Sequence, residues 1–501
     1  MILNRIWRVM VVVAIATSLL LGNIILPTSP VLAEVTENSF DRNGDPANVG
    51  REVRPPVPIE NCFWKMTVGA DPYHNAFYPD QQTTYPVALF SLPADNSKEK
   101  GNDKGYVKIT GEFPHARSMT FSAYFYDPDS ATLVSGDHQI VDYQIKPDKG
   151  SINPFQEDAK RTAKDRSYTL KWVPKALPDN EEDREENTLY LGEQEFPGIG
   201  YIVVMRIYVG DKGTNLFGGT TLPEAKIIMP DGTKIKGDTL CDPKYSPFTG
   251  DMSSVYPSPA FDPVAYRRER DRTEWYNQDR PVTWPAQNPP YIIREWTANY
   301  NFCANFEQGP DNAHLCPSPV DPNVGSGGFG NSTTVYLTTW MDRNFGEVLV
   351  LRGKKPKTPK TYFGTNKTFD TSDAEMRYFS WTTDEPLSRA RVIDSVFDEE
   401  IPVDENGYYT IVVSRPSYRP ENATYECGYA WLEFPPAGDG FGDVYLGELR
   451  NRWQMPLNDF EYAPHKAKKP GKEKKVMGEY FPVGEYMTPK KFDKKFPCNK
   501  S

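Results

Sequence analysis

Ser118-Met119-Thr120-Phe121-Ser122-Ala123-Tyr124-Phe125-Tyr126 decides the fold. Met119, Phe121, Ala123 and Phe125 alternate with Thr120, Ser122, Tyr124 and Tyr126, the period of a half-buried β-strand. The stretch opens on Arg117 and runs to Asp127, and the chain writes it again as Arg377-Tyr378-Phe379-Ser380-Trp381, followed by Asp384.

Further blocks recur around this one in the same order. Before it, Thr83-Thr84-Tyr85-Pro86-Val87-Ala88-Leu89 answers to Thr333-Thr334-Val335-Tyr336-Leu337, and Gly105-Tyr106-Val107-Lys108-Ile109 to Gly346-Glu347-Val348-Leu349-Val350. After it, Ile140-Val141-Asp142 matches Val392-Ile393-Asp394, each leading to an acidic turn. Ser167-Tyr168-Thr169-Leu170 then matches Tyr408-Tyr409-Thr410-Ile411, each reaching a proline, Pro174 or Pro416. Last, Tyr201–Arg206 matches Val444–Arg450 loosely. Val348 to Leu351 is apolar on both faces, as in a central strand, and Asp404-Glu405-Asn406-Gly407 is a hairpin turn. The expected fold is mostly β: two antiparallel, jelly-roll-like β-sandwich halves related by internal duplication.

The expected division follows. Residues 1–33 are a signal peptide, 34–61 an N-terminal arm, 62–240 the first sandwich and 331–456 the second. Residues 241–330 form a Pro-, aromatic- and Gly-rich connector with one helix, N-capped by Asp262 and running to about Trp275. Residues 457–501 are a Lys-rich tail. The first 33 residues carry Arg5 and Arg8, an apolar run from Val9 to Leu21 and a small residue, Ala33, before Glu34, which reads as a cleaved secretory signal. The expected location is secreted or periplasmic.

Composition narrows the chemistry. A chain of 501 residues with 13% aromatics has a core to pack, and mean hydropathy of −0.62 excludes a multi-span membrane protein. Removing two arginines takes the net charge from −11 to −13. The segment His465–Ser501 holds 11 Lys against four acids, so the rest of the mature chain stands near −20 and would repel nucleic acid. The basic tail is suited to touching an anionic surface or to plain solvation.

Cys62, Cys241, Cys303, Cys316, Cys427 and Cys498 are an even set in an oxidising compartment, so disulfides are expected, with 15 connectivities open. Cys303 and Cys316 are close enough to close a 14-residue loop, worth roughly 3 kcal/mol. Without a C-x-x-C, and with five histidines in all, zinc is not implied, nor is any cofactor. Gly325, Gly327 and Gly330 match G-x-G-x-x-G but precede a strand, so they form a loop. Asp41, Asn43, Asp45 and Glu52 have calcium-loop spacing, spoiled by Pro46 at the turn, and Asp179–Glu186 is an acidic loop. There is no G-x-S-x-G.

His115 and Arg117 share a strand face, with Asp142 as a neighbour if its strand lies alongside. His115 is a candidate general base and Arg117 an anion holder. The second copy keeps Arg377 and Asp394 but has Glu375 in place of His115, so Arg117–Asp142 and Arg377–Asp394 read first as buried salt bridges. Tyr124, Tyr126, Trp275, Tyr276, Trp284 and Trp296 are candidate stacking platforms for sugar rings.

Phe113-Pro114-His115-Ala116-Arg117-Ser118-Met119-Thr120-Phe121 resembles a block shared by uncharacterised exported proteins of bacteria and fungi. Similar family blocks are Asn187–Gly192, Arg206–Val209, Asn422-Ala423-Thr424 with Cys427–Leu432, and Met477–Pro482. Each half also resembles a bacterial β-sandwich domain of unknown function. The resemblance covers most of residues 80–485 and implies fold and export, with no activity or catalytic residue. The expected role is binding of a carbohydrate or small anionic ligand. The alternatives are a hydrolase or lyase built on His115 with carboxylates, and a cell-surface structural protein. A deep cleft joining His115, Arg117 and Asp142 would favour the enzyme, a shallow groove floored by Trp or Tyr would favour the sugar, and neither would leave the structural role.

Overall fold

In a computed structural model of the chain, the described residues are 61–68, 79–93, 104–127, 132–196, 198–215, 217–248, 286–294, 331–363, 369–385, 391–439, 443–468 and 471–498. The first copy contains β1 (Trp64–Val68), β2 (Thr83–Phe90), β3 (Tyr106–Glu112), β4 (Ala116–Asp127), β5 (Thr132–Val141), β6 (Ser167–Val173), β7 (Thr188–Tyr190), β8 (Tyr201–Gly210), β9 (Glu224–Ile228) and β10 (Lys234–Lys236). The second opens with β11 (Ile293–Arg294), supplied by the connector. It continues with β12 (Thr334–Asp342), β13 (Val348–Lys354), β14 (Met376–Glu385), β15 (Arg391–Phe397), β16 (Tyr408–Ser414), β17 (Ala430–Glu433), β18 (Leu446–Pro456) and β19 (Val483–Met487). Two short helices, α1 (Glu473–Met477) and α2 (Pro489–Lys495), flank β19.

The duplication is borne out in strand order, except that β10 has no counterpart in the second copy. The first copy stacks a β1-β2-β8-β4-β5 sheet on a β10-β9-β3-β6-β7 sheet; the second stacks β11-β12-β18-β14-β15 on β17-β16-β13-β19. Pairing is antiparallel as expected, except that β6–β7 and β16–β17 run parallel. A shared close contact fixes the superposition. Gly111 lies opposite Tyr168 and Gly353 opposite Tyr409, and a Cβ on either glycine would meet the tyrosine hydroxyl at 2.7 or 2.8 Å. On that register Val107 corresponds to Leu349, so the match of Gly105 to Gly346 is one residue out. Likewise Arg206 corresponds to Arg452, not Arg450, because Thr120 faces Arg206 as Ser380 faces Arg452.

Each sandwich has its own core. Met119, Phe121, Trp172, Met205 and Ile207 fill the first; Phe379, Trp381, Tyr409, Leu449 and Trp453 fill the second. Each such side chain contributes about 2 kcal/mol by leaving water. The alternation in β4 is real, but its polar face does not meet solvent. Ser118, Thr120, Ser122 and Tyr124 are all buried, because the β2-β8-β4 face of one copy packs against the other copy. There Tyr208 lies 5.4 Å from Tyr378. Arg452 donates to the hydroxyls of Tyr85 at 2.8 Å and Tyr208 at 3.2 Å, and pairs with Asp80 at 3.3 Å. The second copy also lends Phe369 to the first core, where it packs edge-on against Phe155, pinned by backbone bonds to Asp158 and Ala159.

Disulfides join Cys62 to Cys241 and Cys427 to Cys498, one in each copy. Residues 457–501, set apart by composition as a tail, supply β19 to the second sandwich. Helix α2 covers the outside of that sheet with Phe492, which sits among Val350, Val412 and Trp431. Among the described residues no helix is long and apolar enough to cross a membrane. The signal peptide, N-terminal arm, connector helix, glycine loop and Cys303–Cys316 lie outside the described residues.

Candidate functional site

The two arginines of the repeated strand cross between the copies. Arg117, at the start of β4, donates from Nη1 to both Asp398 oxygens at 3.0 Å, from Nε to Thr361 Oγ1 at 2.7 Å, and from Nη2 to Glu399. Arg377, at the start of β14, donates to Asp142 at 2.7 Å. The expected pairs Arg117–Asp142 and Arg377–Asp394 are therefore replaced by a reciprocal exchange. Sheet register explains it. Thr120 faces Val141 and Ser380 faces Phe397, so the residue after each edge strand is Asp142 in one copy and Asp398 in the other. Each of these aspartates accepts the amide two residues beyond its own copy's arginine, Met119 or Phe379. Each also accepts from the guanidinium arriving from the opposite copy, and Asp142 takes the Tyr143 amide at 2.7 Å as well. Asp394 lies four residues earlier and ties β15 to β17 by accepting the Glu433 amide at 2.8 Å.

Electrostatics suit a sealed joint. Burial pushes the Asp142 and Asp398 carboxyls above their usual range, against the pull of Arg377 and Arg117. Burial also acts on Glu399, but there Arg117 and the amides of Tyr362, Phe363 and Thr361 win and hold the carboxyl below its usual value. Arg117, Asp142 and Arg377 are at most 2% exposed and offer a ligand no surface.

His115 lies apart from these groups. Its Nε2 is 3.3 Å from the Ala163 carbonyl oxygen, and burial, reinforced by Arg166, holds the ring below the usual imidazole range. Among the described residues it has no carboxylate at hydrogen-bond distance. Tyr124 is buried, and its hydroxyl accepts from Arg206, which also donates to Ser122 at 2.8 Å. The side chains of Tyr126, Trp275, Tyr276, Trp284 and Trp296 lie outside the described residues.

The second copy instead gathers a cluster at one end that the sequence reading missed. After β12, Asp342 caps a single turn by accepting the Asn344 amide at 2.7 Å, and this turn carries Arg343. Three rings surround its guanidinium: Tyr418 and Phe434 at 5.6 Å and Tyr445 at 5.4 Å from centroid to charge. Tyr418 is 38% exposed and Tyr445 46%. Arg415, following β16, joins from the next loop and donates to the Pro436 and Val444 carbonyls at 2.9 and 3.0 Å. Burial and the nearby Arg343 charge together lower the Arg415 pKa from its usual value. Among the described residues neither arginine has an ion-pair partner, and the Nε of each is buried with no hydrogen-bond acceptor. The neighbouring acids are otherwise employed: Asp342 in its cap, and Asp443 in accepting the Tyr445 amide.

A small cleft beside Arg343, lined by Asp342, Glu347, Phe434 and Tyr486, has room for little beyond a water. The usable surface is the shallow ring-bearing one. Two features of the sequence pointed here: Tyr418 in Pro416-Ser417-Tyr418, and Val444-Tyr445 directly after a glycine-rich loop. Reading Val444–Arg450 as one strand block hid the second, because β18 begins only at Leu446 and leaves Tyr445 outside the sheet.

No family model matches the chain, and no curated protein matches it. Among solved structures, a putative uncharacterized protein from Burkholderia cenocepacia aligns with 89% of this chain and 88% of its own, at 11% identity and a TM-score of 0.44. A protein from Vibrio parahaemolyticus aligns with 82% of this chain and 90% of its own, at 11% identity and a TM-score of 0.36. Likeness at that level bears on neither ligand nor activity.

Proposed function

We propose that the chain is exported to the periplasm or the cell exterior and binds a carbohydrate or small anionic ligand there. The observation that carries this reading is the pair of exposed phenol rings, Tyr418 and Tyr445, held around Arg343. Ring faces fixed by a cation in their midst lose little freedom when a sugar stacks on them, which favours the carbohydrate. Export is supported by the signal-like residues 1–33 and by two disulfides, which persist in oxidising compartments. The lysines of α1 and α2 suit contact with an anionic surface.

Glycan-array binding by the mature protein, followed by thermal shift with each hit, tests the reading. A sugar that raises the Tm of the wild type, and loses that effect with Tyr445→Ala and Tyr418→Ala, supports it. An array without hits, or hits indifferent to both substitutions, ends it.

A further inference from the structure

Resting on that carbohydrate reading, we infer that the sugar taken at the Arg343 platform carries a carboxylate, as a uronic acid does, and that Arg415 is the group that reads it. Two guanidiniums brought into one cluster repel, and a partly buried arginine is ordinarily paired. Here neither Arg343 nor Arg415 has an acid within ion-pair distance among the described residues, and their mutual repulsion already contributes to the lowered Arg415 pKa. Arg415 spends Nη2 on the two loop carbonyls and buries its Nε, which leaves Nη1 as the donor an incoming anion can meet. A carboxylate oxygen accepts a charge-assisted hydrogen bond from that Nη1.

The surrounding acids define the charge the site accepts. Asp342 and Asp443 lie close by, and Glu433 acts on Arg415 through space without pairing with it. A dianion such as a phosphate ester would meet those carboxylates at full cost, whereas a single carboxylate seated against Nη1 meets them at half the charge. The sheet register shows that the shared fold does not require arginine at these two positions. Following each strand pair outward, Leu92 stands where Arg343 does, and Pro174 where Arg415 does. The first copy builds the same end of the same sandwich with an apolar residue and a proline.

The experiment compares oligogalacturonate, oligoglucuronate and oligomannuronate with their methyl esters by calorimetry on the full mature chain. Each pair shares its rings and differs in charge. The expected result is at least one pair in which the acid binds about tenfold tighter than the ester. Arg415→Gln should bring that ratio close to one, and Arg415→Lys, which keeps the charge but not a donor held in place by the loop carbonyls, should leave it well below wild type. A Tm of Arg415→Gln within a few degrees of wild type shows that the loop still folds. Equal binding of acid and ester, or binding only of neutral glycans, overturns this inference and leaves the carbohydrate reading standing. Absence of binding to every glycan overturns both.

Discussion

The two copies share strand order, the glycine–tyrosine contact and the arginine that leaves each strand for the other half, yet they diverge wherever side chains are free of those duties. Where the first copy places Tyr124 opposite Ile202 on the face turned to the other copy, the second places Asp384 opposite Glu448. Burial drives the Asp384 carboxyl well above its ordinary range, against Arg450 and with help from Glu448. At the far end the first copy has Leu92 and Pro174 at the positions of Arg343 and Arg415. The crossing arginines, common to both copies, hold the halves together, and the Arg343 cluster, confined to one, is where a ligand is to be sought.

The hardest test of that division removes a crossing arginine. Arg117→Ala strands Asp398 and Glu399, and Arg377→Ala strands Asp142, inside the protein. Each should cost roughly 3–5 kcal/mol in denaturant unfolding, with Arg117 the larger because it leaves two acids behind. Loss from only one copy, with the other unfolding as in wild type, would contradict a shared joint. Next, Phe369→Ala should cost about 3–4 kcal/mol, and hydrogen exchange should speed up in β3 and β6 of the first copy, although the residue belongs to the second. Faster exchange in β13 and β16 instead would remove the case for a lent side chain.

The smallest effect is a pH slope. The folded Glu399 carboxyl titrates below its unfolded value of about 4.3, so its stabilisation is present above that pH and is lost as pH falls through the folded value. Asp142 and Asp398, raised by burial, act with the opposite sign, since the folded state there binds the proton more readily. Glu399→Gln should therefore flatten the acid limb of the stability profile. An unchanged limb would show that Glu399 does not titrate as the joint requires.

Much of the architecture was legible because hydrophobic period and turn chemistry are local. The alternation of Met119, Phe121 and Ala123 and the turn ending in Gly407, whose φ is +82°, needed no distant information. Alignment between copies failed where blocks were matched by residue type: Ile140-Val141-Asp142 resembles Val392-Ile393-Asp394, but hydrogen-bond register makes Asp398 the counterpart. The same locality explains the arginine partners, since an aspartate in the adjacent strand is a local guess and the true partner lies 235 or 281 residues away. The Arg343 cluster draws on β12, β16, β17 and the loop before β18. No short stretch of sequence contains it.

Phe369 has one more consequence. From Lys236, where the last strand of the first copy ends, to Phe369 is 133 residues. A chain threaded from its N-terminus therefore delivers every strand of the leading half well before the plug for its centre arrives. The half born first thus waits for a residue of the second, and until then it presents an incompletely filled interior to whatever machinery carries it.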